Sequence, residues 1–226
     1  MVKEWCIPEI TPEFLTAMET ALALYERPAE KARPLVCFDE KSVELHVDAR
    51  TPLPVQPHHP KRQDYEYERG GTRNVFLFVA PKVGQRHTLV TQRRTKEDWA
   101  KAMRYLADEL YPEAEGIDVV LDNLNTHKAD VLIEILGKAE ADRLLQRLTF
   151  HYTPLHGSWL NMAEIELSVM ARQCTRRRLG DAFTLATELI AWEQPRNAAR
   201  VTIRWKFTRQ DARRVFAQYY PAISSC

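Results

Sequence analysis

Three acidic residues stand in sequence contexts that can bring their carboxylates to one point. Asp39 lies in LVCFDEKS, Asp122 in DVVLDNLNTH and Glu164 in HGSWLNMAEIE. The first two sit in apolar runs typical of buried strands, and the third opens a segment with helical spacing. Strands and helices hold side chains rigidly, and carboxylate oxygens are the ligands that Mg²⁺ prefers. The three residues are therefore candidate ligands for a pair of magnesium ions.

Such a pair of ions suits chemistry at phosphorus. Cleaving or transferring a phosphodiester requires an activated oxygen nucleophile, neutralised charge at the phosphorus and a stabilised leaving oxygen. Two Mg²⁺ ions about 3.5 to 4 Å apart supply all three. The sequence contains none of the GxxxxGKS/T, GxGxxG or HExxH motifs of other phosphate-binding or metal enzymes. The three carboxylates are thus its main chemical signature.

Helical geometry separates Glu164 from Glu166 without choosing between them. Residues two positions apart in a helix are separated by about 200° around its axis. The side chains of Glu164 and Glu166 therefore point to nearly opposite sides and cannot share one metal centre. Glu166 falls beside apolar residues, whereas Glu164 lies with Asn161 and Ser168. Periodicity alone leaves both as candidates for the third carboxylate.

The elements that must position these residues follow one another in a regular order. Thr11 and Pro12 begin an amphipathic helix that Pro28 ends. Strands are predicted at residues 35–47, where a hairpin would carry Asp39 in its first arm, and at 65–68, 75–80, 87–91, 117–121 and 148–152. Helices are predicted from a capping box at 95–98 to residue 112, at 128–136, from 159 towards 176, and after a cap at 208–211.

Three strands followed by alternating helices and strands predict a mixed sheet with helices on its faces, in the α/β class. Two consecutive glycines, Gly70 and Gly71, are predicted to form the turn between strands 65–68 and 75–80. Four prolines between residues 51 and 60 predict an extended loop. Glu40 should point to the sheet face opposite Asp39 and take a structural role.

Composition indicates one main globular domain. The chain has 226 residues, of which 45% are hydrophobic and 28% charged. No apolar stretch approaches the roughly 20 residues of a membrane span, and the N-terminus lacks a signal-peptide core, so a cytoplasmic protein without membrane contact is expected. The four cysteines show no CxxC spacing, which predicts reduced thiols rather than a zinc site or a disulfide framework.

The net charge of +1 conceals an uneven distribution. From residue 171 onwards eleven Lys or Arg stand against four Asp or Glu, a balance of +7, and the first 170 residues carry −6. A basic region suits contact with a DNA backbone, although a cluster such as Arg176, Arg177 and Arg178 is also typical of a solvated face. In the same region residues 201–207 alternate apolar and polar, and Trp205 and Phe207 are predicted to be core residues.

The motifs VCFDE, VVLDNLNTH and TPLHGSWLNMAEIE, in this order, resemble the three acidic motifs of the IS630 transposases, within the IS630/Tc1/mariner superfamily of DDE/D recombinases. The similarity extends from WCIPE through DYEYERGGTRNVFLF to RNAARVTIRWKFTRQDAR, and so covers nearly the whole chain. It implies an RNase H-like fold, a bacterial and nucleoid-associated protein, and cut-and-paste movement of DNA into TA target sites.

The resemblance also implies a ligand set. In such enzymes the acidic residue three positions after the Asn of LNxxE is the third ligand, which selects Glu164 here. Asp39, Asp122 and Glu164 would then be the catalytic and metal-binding residues, with two Mg²⁺ or Mn²⁺ ions as cofactor. In this hypothesis Asp39 bridges the ions, Asp122 and Glu164 each complete one, and water and then a 3′-hydroxyl attack phosphorus in line.

Polar residues around the carboxylates have two interpretations each. Asn123 and His127 would orient Asp122 or bind a phosphate, or else serve as turn-forming residues. His156, Ser158 and Asn161 would bind phosphate at a helix N-terminus, or Ser158 would simply cap the helix. Further candidate DNA contacts come from the basic region, namely Arg172, Arg176, Arg177, Arg178, Arg204 and Lys206.

The predicted domain plan has a helical connector at residues 1–33, the catalytic domain at 34–180 and a basic segment packed on it at 181–226. A complete transposase of this type would begin with a helix-turn-helix region that recognises the transposon ends, and no such pair of helices is predicted before Asp39. The chain therefore resembles a catalytic half, acting on transposon ends and target DNA, with a homodimer as a further expectation. Two alternatives stay open: a catalytically silent remnant that binds DNA or another subunit, and an RNase H-like nuclease.

Overall fold

A mixed five-stranded sheet forms the centre of the protein. The computed structural model describes residues 9–220, so the WCIPE motif lies largely outside them, as do Cys6 and Cys226. The strands are β1 (Leu35–Asp48), β2 (Tyr67–Ala80), β3 (Gln85–Thr91), β4 (Ile117–Leu121) and β5 (Leu148–Tyr152), in the order β3-β2-β1-β4-β5. The first three pair antiparallel, whereas β4 runs parallel to β1 and β5 runs parallel to β4. The predicted α/β architecture is confirmed.

Two of the predicted hairpins are wrong. Residues 35–48 form one long strand that pairs with β2 over most of its length, and Gly70 and Gly71 lie within β2 rather than in a turn. A register shift opposite Leu45 and His46 leaves Gly70 as an extra residue, which is a β-bulge. A Cβ on Gly70 would lie 2.8 Å from the carbonyl oxygen of Gly180, so this close approach requires glycine. The loop predicted at 51–60 contains only isolated bridges.

Helices cover both faces of the sheet. They are α1 (Pro12–Glu26), α2 (Lys96–Tyr105), α3 (Ala129–Leu136), α4 (Lys138–Leu145), α5 (Met162–Met170), α6 (Ala182–Ala198) and α7 (Arg209–Val215). Side chains on α2, α3 and α4 pack with Phe38, Phe76 and Phe78 on one face. On the other face α1, α5 and α7 pack with Leu35, Cys37 and Val120. No helix within residues 9–220 combines the length and the apolar character that crossing a bilayer requires.

Capping residues fix the helices that lead to the acidic residues. Thr95 and Asp98 form the predicted capping box of α2, and a π-helical turn (Leu106–Leu110) extends that helix. A helix was predicted from residue 159, but α5 begins at Met162 because the side chain of Asn161 accepts the N–H of Ala163. Ser158 instead begins a short 3₁₀ turn and caps nothing with its side chain.

The C-terminal part of the chain packs on the sheet and on α1. The helix α6, which sequence reasoning did not identify, lies against β3, and Leu185 and Leu189 enter a third apolar cluster with Leu45. Residues 201–207 form no strand, but Trp205 and Phe207 pack against the α1 side of the core as predicted. Cys37 and Cys174 are buried free thiols.

Candidate active site

The register of the sheet brings two of the predicted carboxylates to the same height. In the parallel pair, Cys37 on β1 lies opposite Val120 on β4. Continuing this register by two residues places Asp39 opposite Asp122, which follows the last residue of β4. Neighbouring strands are about 4.8 Å apart, so these two backbones are adjacent.

Asp39 is held from two sides and is mostly buried. Its Oδ1 atom accepts the backbone N–H of Glu40 at 2.8 Å, and Nδ2 of Asn161 donates to its Oδ2 at 3.3 Å. Burial, and then the charge of Glu164, raise the pKa of Asp39 to about 8, with further contributions from Glu40 and Asp122. The strongest charged neighbours of this carboxyl are therefore all acidic, and this spot calls for a cation.

Glu164 and Glu166 occupy contrasting environments on α5. Glu164 is exposed and lies close enough to Asp39 for its charge to act there. Glu166 is 1% exposed and bonds to two arginines, with Oε1 2.8 Å from Nε of Arg86 and 3.0 Å from Nε of Arg196. Glu166 is thus committed to a buried ion network, and Glu164 is the acid that faces Asp39.

Asp122 is oriented by a buried histidine. Nδ1 of His127 lies 2.5 Å from Oδ1 of Asp122, and Nε2 of the same ring lies 3.3 Å from Oε2 of Glu40. The second contact lacks hydrogen-bond geometry, so Oε2 of Glu40 has no hydrogen-bond partner among the described residues. Burial raises the pKa of Glu40, against the opposing effect of His127. The Glu40 side chain is 3% exposed and contacts His127 on the sheet face opposite Asp39.

The donor set suits a hard divalent cation, although its spacing is open. Three carboxylates converge from β1, from the end of β4 and from the first turn of α5, and two of them raise the pKa of Asp39 through their charge. All-oxygen ligands of this kind fit Mg²⁺ or Mn²⁺. Across residues 9–220, however, no three His, Cys, Asp or Glu side chains are grouped tightly enough to surround one ion.

Residues 34–186 match the family model of the DDE superfamily endonucleases. The match covers more than half of the chain. The chain belongs to the DDE superfamily endonucleases. Its resemblance to DDE/D recombinases is thereby confirmed at the level of this superfamily, and the protein is an endonuclease-class enzyme. A comparison with curated proteins gave no match.

Solved structures of Mos1 transposase share the fold of this DDE endonuclease. The Mos1 paired-end complex with the left transposon end aligns with a TM-score of 0.57 and 14% identity, over 89% of this chain and 62% of the Mos1 chain. The Mos1 strand transfer complex aligns with a TM-score of 0.58 and 14% identity, over 99% of this chain and 67% of the other. The chain thus spans less than two thirds of the first relative. These matches confirm the predicted RNase H-like architecture.

Two of the candidate DNA contacts of the endonuclease are buried and cannot reach DNA. Asn161 is fully buried because it caps α5 and bonds to Asp39, and His127 is 2% exposed because it lies between Asp122 and Glu40. Both side chains contact a candidate carboxylate instead, Asp39 for Asn161 and Asp122 for His127. Asn123, His156 and Ser158 are exposed.

The basic residues of the endonuclease divide into engaged and available groups. Arg178 donates to Asp48 and to the backbone carbonyls of Glu66 and Tyr65, so it is a structural tie between chain segments. Arg177 pairs with Glu188. The exposed basic residues that remain are Arg172, Arg176, Arg204 and Lys206. Within the described residues only Arg172 among them makes a side-chain hydrogen bond, to Ser168.

Sequence reasoning missed the buried partners of the acidic residues. The pairing of Glu40 with His127 joins positions far apart in sequence, and Arg86, which is fully buried beside Glu166, gave no local pattern. Only Glu166 carried a usable signal, because its helical position on the apolar side required a buried charge partner.

Proposed function

We propose that the chain is the catalytic domain of a DNA transposase, which cleaves DNA strands and joins a 3′ end to target DNA with divalent metal ions. The observation that carries this proposal is that Asp39 is mostly buried and that the charges acting most strongly on it are acids, among them Glu164 and Asp122, in a DDE endonuclease. The fold is also that of Mos1 transposase, which has been solved in paired-end and strand transfer complexes.

The three carboxylates would hold two ions, with Asp39 shared and Asp122 and Glu164 each serving one. Because each ion then contacts only two carboxylates, this arrangement does not require three ligands around one centre, in keeping with the open spacing of the site. Mos1 complexes solved with Mn and with Mg support the choice of metal. The bound ions supply charge neutralisation at phosphorus and an activated oxygen nucleophile.

The residues around the carboxylates prepare them for this task. Asn161 holds Oδ2 of Asp39 and the carbonyl oxygen of Phe38, at 3.3 and 2.8 Å, which ties the start of α5 to β1. Glu164 lies in the first turn of the same helix, so Asn161 also fixes the distance between the two carboxylates. A ligand set spread over three elements thereby stays in one arrangement when DNA arrives.

A basic groove beside the site supplies a surface for the DNA backbone. It has a volume of about 490 Å³, lies between β1 and the turn after α5, and is lined by Lys41, Arg172, Arg176 and Arg177. Arg172 and Arg176 are exposed, so they are free to neutralise phosphates. We propose further DNA contacts at Asn123, His156, Ser158, Arg204 and Lys206. The proposed partners are transposon ends, TA target sites and a second copy of the chain.

Cleavage of DNA by the purified chain tests this proposal. A supercoiled plasmid carrying the DNA that flanks the gene should be nicked in Mn²⁺. Asp39→Asn and Asp122→Asn should each lower the nicking rate by about a thousandfold, or 4 kcal/mol, while the circular dichroism spectrum stays unchanged. Asp142→Asn, which removes an exposed acid paired with Lys138, is the matched control and should cleave normally.

Three outcomes would contradict the proposal. Normal nicking by Asp39→Asn would remove the carboxylates from catalysis. Selective cleavage of the RNA strand in an RNA–DNA hybrid would favour an RNase H-like nuclease. Absence of both cleavage and Mn²⁺ binding in the wild-type chain would favour a silent remnant that only binds DNA or another subunit.

A further inference from the structure

His127 lies in a buried pocket in which each of its two ring nitrogens faces a carboxylate. Its ring stacks on Trp99 at a centroid distance of 5.8 Å and meets the edge of Phe38 at 5.5 Å. The hydroxyl of Tyr152 donates to the backbone carbonyl oxygen of His127 at 2.9 Å, which fixes the backbone as well. The ring therefore has one orientation, with Nδ1 towards Asp122 and Nε2 towards Glu40.

The two contacts differ in length, and this difference assigns their roles. The distance from Nδ1 to Oδ1 of Asp122 is 2.5 Å, that of a strong, directed hydrogen bond, whereas Nε2 lies 3.3 Å from Glu40. A carboxylate that is to bind a cation carries no proton, so Nδ1–H must be the donor to Asp122. With Oδ1 held in this way, Oδ2 is the oxygen left for an ion.

We propose that His127 and Glu40 are positioning residues for Asp122: His127 fixes Oδ1 by its Nδ1–H, and Glu40 fixes the imidazole from the other side. This inference rests on the proposed metal-dependent function. Burying the Glu40 carboxyl against the imidazole is costly unless the charge is paired. Ring partners that orient a metal-binding side chain commonly change metal affinity by about 10 to 100-fold when they are lost.

The chemistry of the proposal predicts which substitutions preserve the arrangement. In His127→Asn the side-chain amide nitrogen occupies nearly the place of Nδ1 and still donates to Asp122, whereas His127→Leu removes the donor. In Glu40→Gln the amide still meets Nε2, whereas Glu40→Leu leaves that nitrogen facing an apolar group. The Asn and Gln variants should therefore behave like the wild type, and the Leu variants should not.

Mn²⁺ binding measured by calorimetry without DNA tests the proposal independently of cleavage. His127→Leu and Glu40→Leu should weaken Mn²⁺ binding by about 10 to 100-fold, with His127→Asn and Glu40→Gln within about threefold of the wild type. Asp118→Asn is the control, because Asp118 is as buried as Glu40 and lies at the end of β4 opposite Asp122. It should lower thermal stability and leave Mn²⁺ binding unchanged.

A ¹⁵N-labelled sample gives a second readout that a folding defect cannot imitate. The Nδ1–H proton of His127 should give a far-downfield NMR signal that is absent from His127→Asn, kept in Asp118→Asn and displaced in Glu40→Leu. Wild-type Mn²⁺ affinity in folded His127→Leu would overturn the inference, as would equal affinities for Glu40→Leu and Glu40→Gln. If these results overturn the inference while Asp39→Asn still stops cleavage, the proposed metal-dependent function stands and only the positioning roles of His127 and Glu40 are wrong. If the wild type binds no Mn²⁺, both the proposed function and this inference are wrong.

Discussion

The two ends of β4 carry aspartates with opposite surroundings. Asp118, at the start of the strand, is 1% exposed and receives hydrogen bonds from Arg27 at 2.8 Å and from Arg33 at 2.9 Å, and it lies 2.8 Å from Nε2 of His151. Asp122, just past the other end, has one histidine, and its side chain is 26% exposed. The same residue type thus accepts from two arginines at one end of the strand and contacts a single histidine at the other.

This contrast distinguishes a structural carboxylate from a reactive one. Burial acts to raise the pKa of Asp118, but hydrogen bonds from His151, Arg33 and Arg27 outweigh it and lower that pKa. On the neighbouring strand β1, level with the Asp122 end of β4, burial and neighbouring acids raise the pKa of Asp39. A fold that can place two arginines on one aspartate places none on the other, and this shortage of cations marks the site. Glu166 and Glu164 repeat the pattern on α5.

The pair on α5 offers the sharpest way to break this comparison. Glu164→Ala should lower the rate of Mn²⁺-dependent nicking by about a thousandfold, or 4 kcal/mol, and should change the free energy of unfolding by less than about 0.5 kcal/mol. Glu166→Ala should instead cost about 3 to 5 kcal/mol of unfolding free energy, because Arg86 would be left buried without its partner. Urea unfolding and a nicking assay on both variants measure this exchange. Equal effects of the two substitutions on stability would refute the distinction.

Asp118 sharpens the comparison through pH. Asp118→Asn should cost about 3 kcal/mol near pH 7, the lower end for a broken buried pair, because Arg33 is 43% exposed. Since the folded pKa of Asp118 is lowered, its stabilising contribution is present above the unfolded pKa of about 3.9 and is lost as pH falls below it.

The difference in urea midpoint between wild type and Asp118→Asn should therefore shrink below about pH 4. Arg27, Arg33 and His151 face this carboxyl, and Asp118 is the acid among the four, so a loss below about pH 4 reports on Asp118 itself. A constant difference from about pH 3 to pH 7 would contradict the assigned cause.

The smallest expected effect concerns the basic groove. A double substitution, Arg172→Ala with Arg176→Ala, should make the slope of log affinity against log salt for a DNA duplex less steep by about 0.9 for each lost phosphate contact. Arg213→Ala is the control, because Arg213 is paired with Glu19 and should leave the slope unchanged. Fluorescence anisotropy at several salt concentrations gives both slopes, and an unaltered slope in the double variant would exclude this groove as a backbone contact.

Local sequence patterns predicted where the strands that carry the acidic residues lie, but not how long these strands are. The runs that end at Asp39 and Asp122 gave strands β1 and β4 because buried strands are locally apolar. Polar residues in the exposed half of β1, and two glycines in β2, were interpreted as turns. The structure shows instead a bulge at Gly70, where the carbonyl oxygen of Gly180 comes so close that only glycine fits. No local pattern contains that contact.

Sequence reasoning proposed a set of acids for the site but could not give their arrangement. Spacing alone left Glu164 and Glu166 open, and the resemblance to a family selected Glu164; the buried ion pair of Glu166 with Arg86 now gives a physical reason. The roles of Asn161 and His127 depended on burial, which sequence does not reveal for isolated polar residues. The helix α6 was missed because its apolar residues do not share one face: Leu185 and Leu189 are buried, whereas Phe183 and Ile190 are exposed.

The hydrogen bonds from Asn161 to β1 have a consequence for the order in which the chain can assemble during its synthesis. Asn161 joins Phe38 and Asp39 across 123 and 122 residues of chain, so this contact can form only after most of the polypeptide has been synthesised. Contacts of such long sequence separation also form late in folding, because the intervening chain must first be ordered. A growing chain on the ribosome therefore cannot form this contact until Asn161 has been synthesised, and Asp39 lacks this partner for most of synthesis.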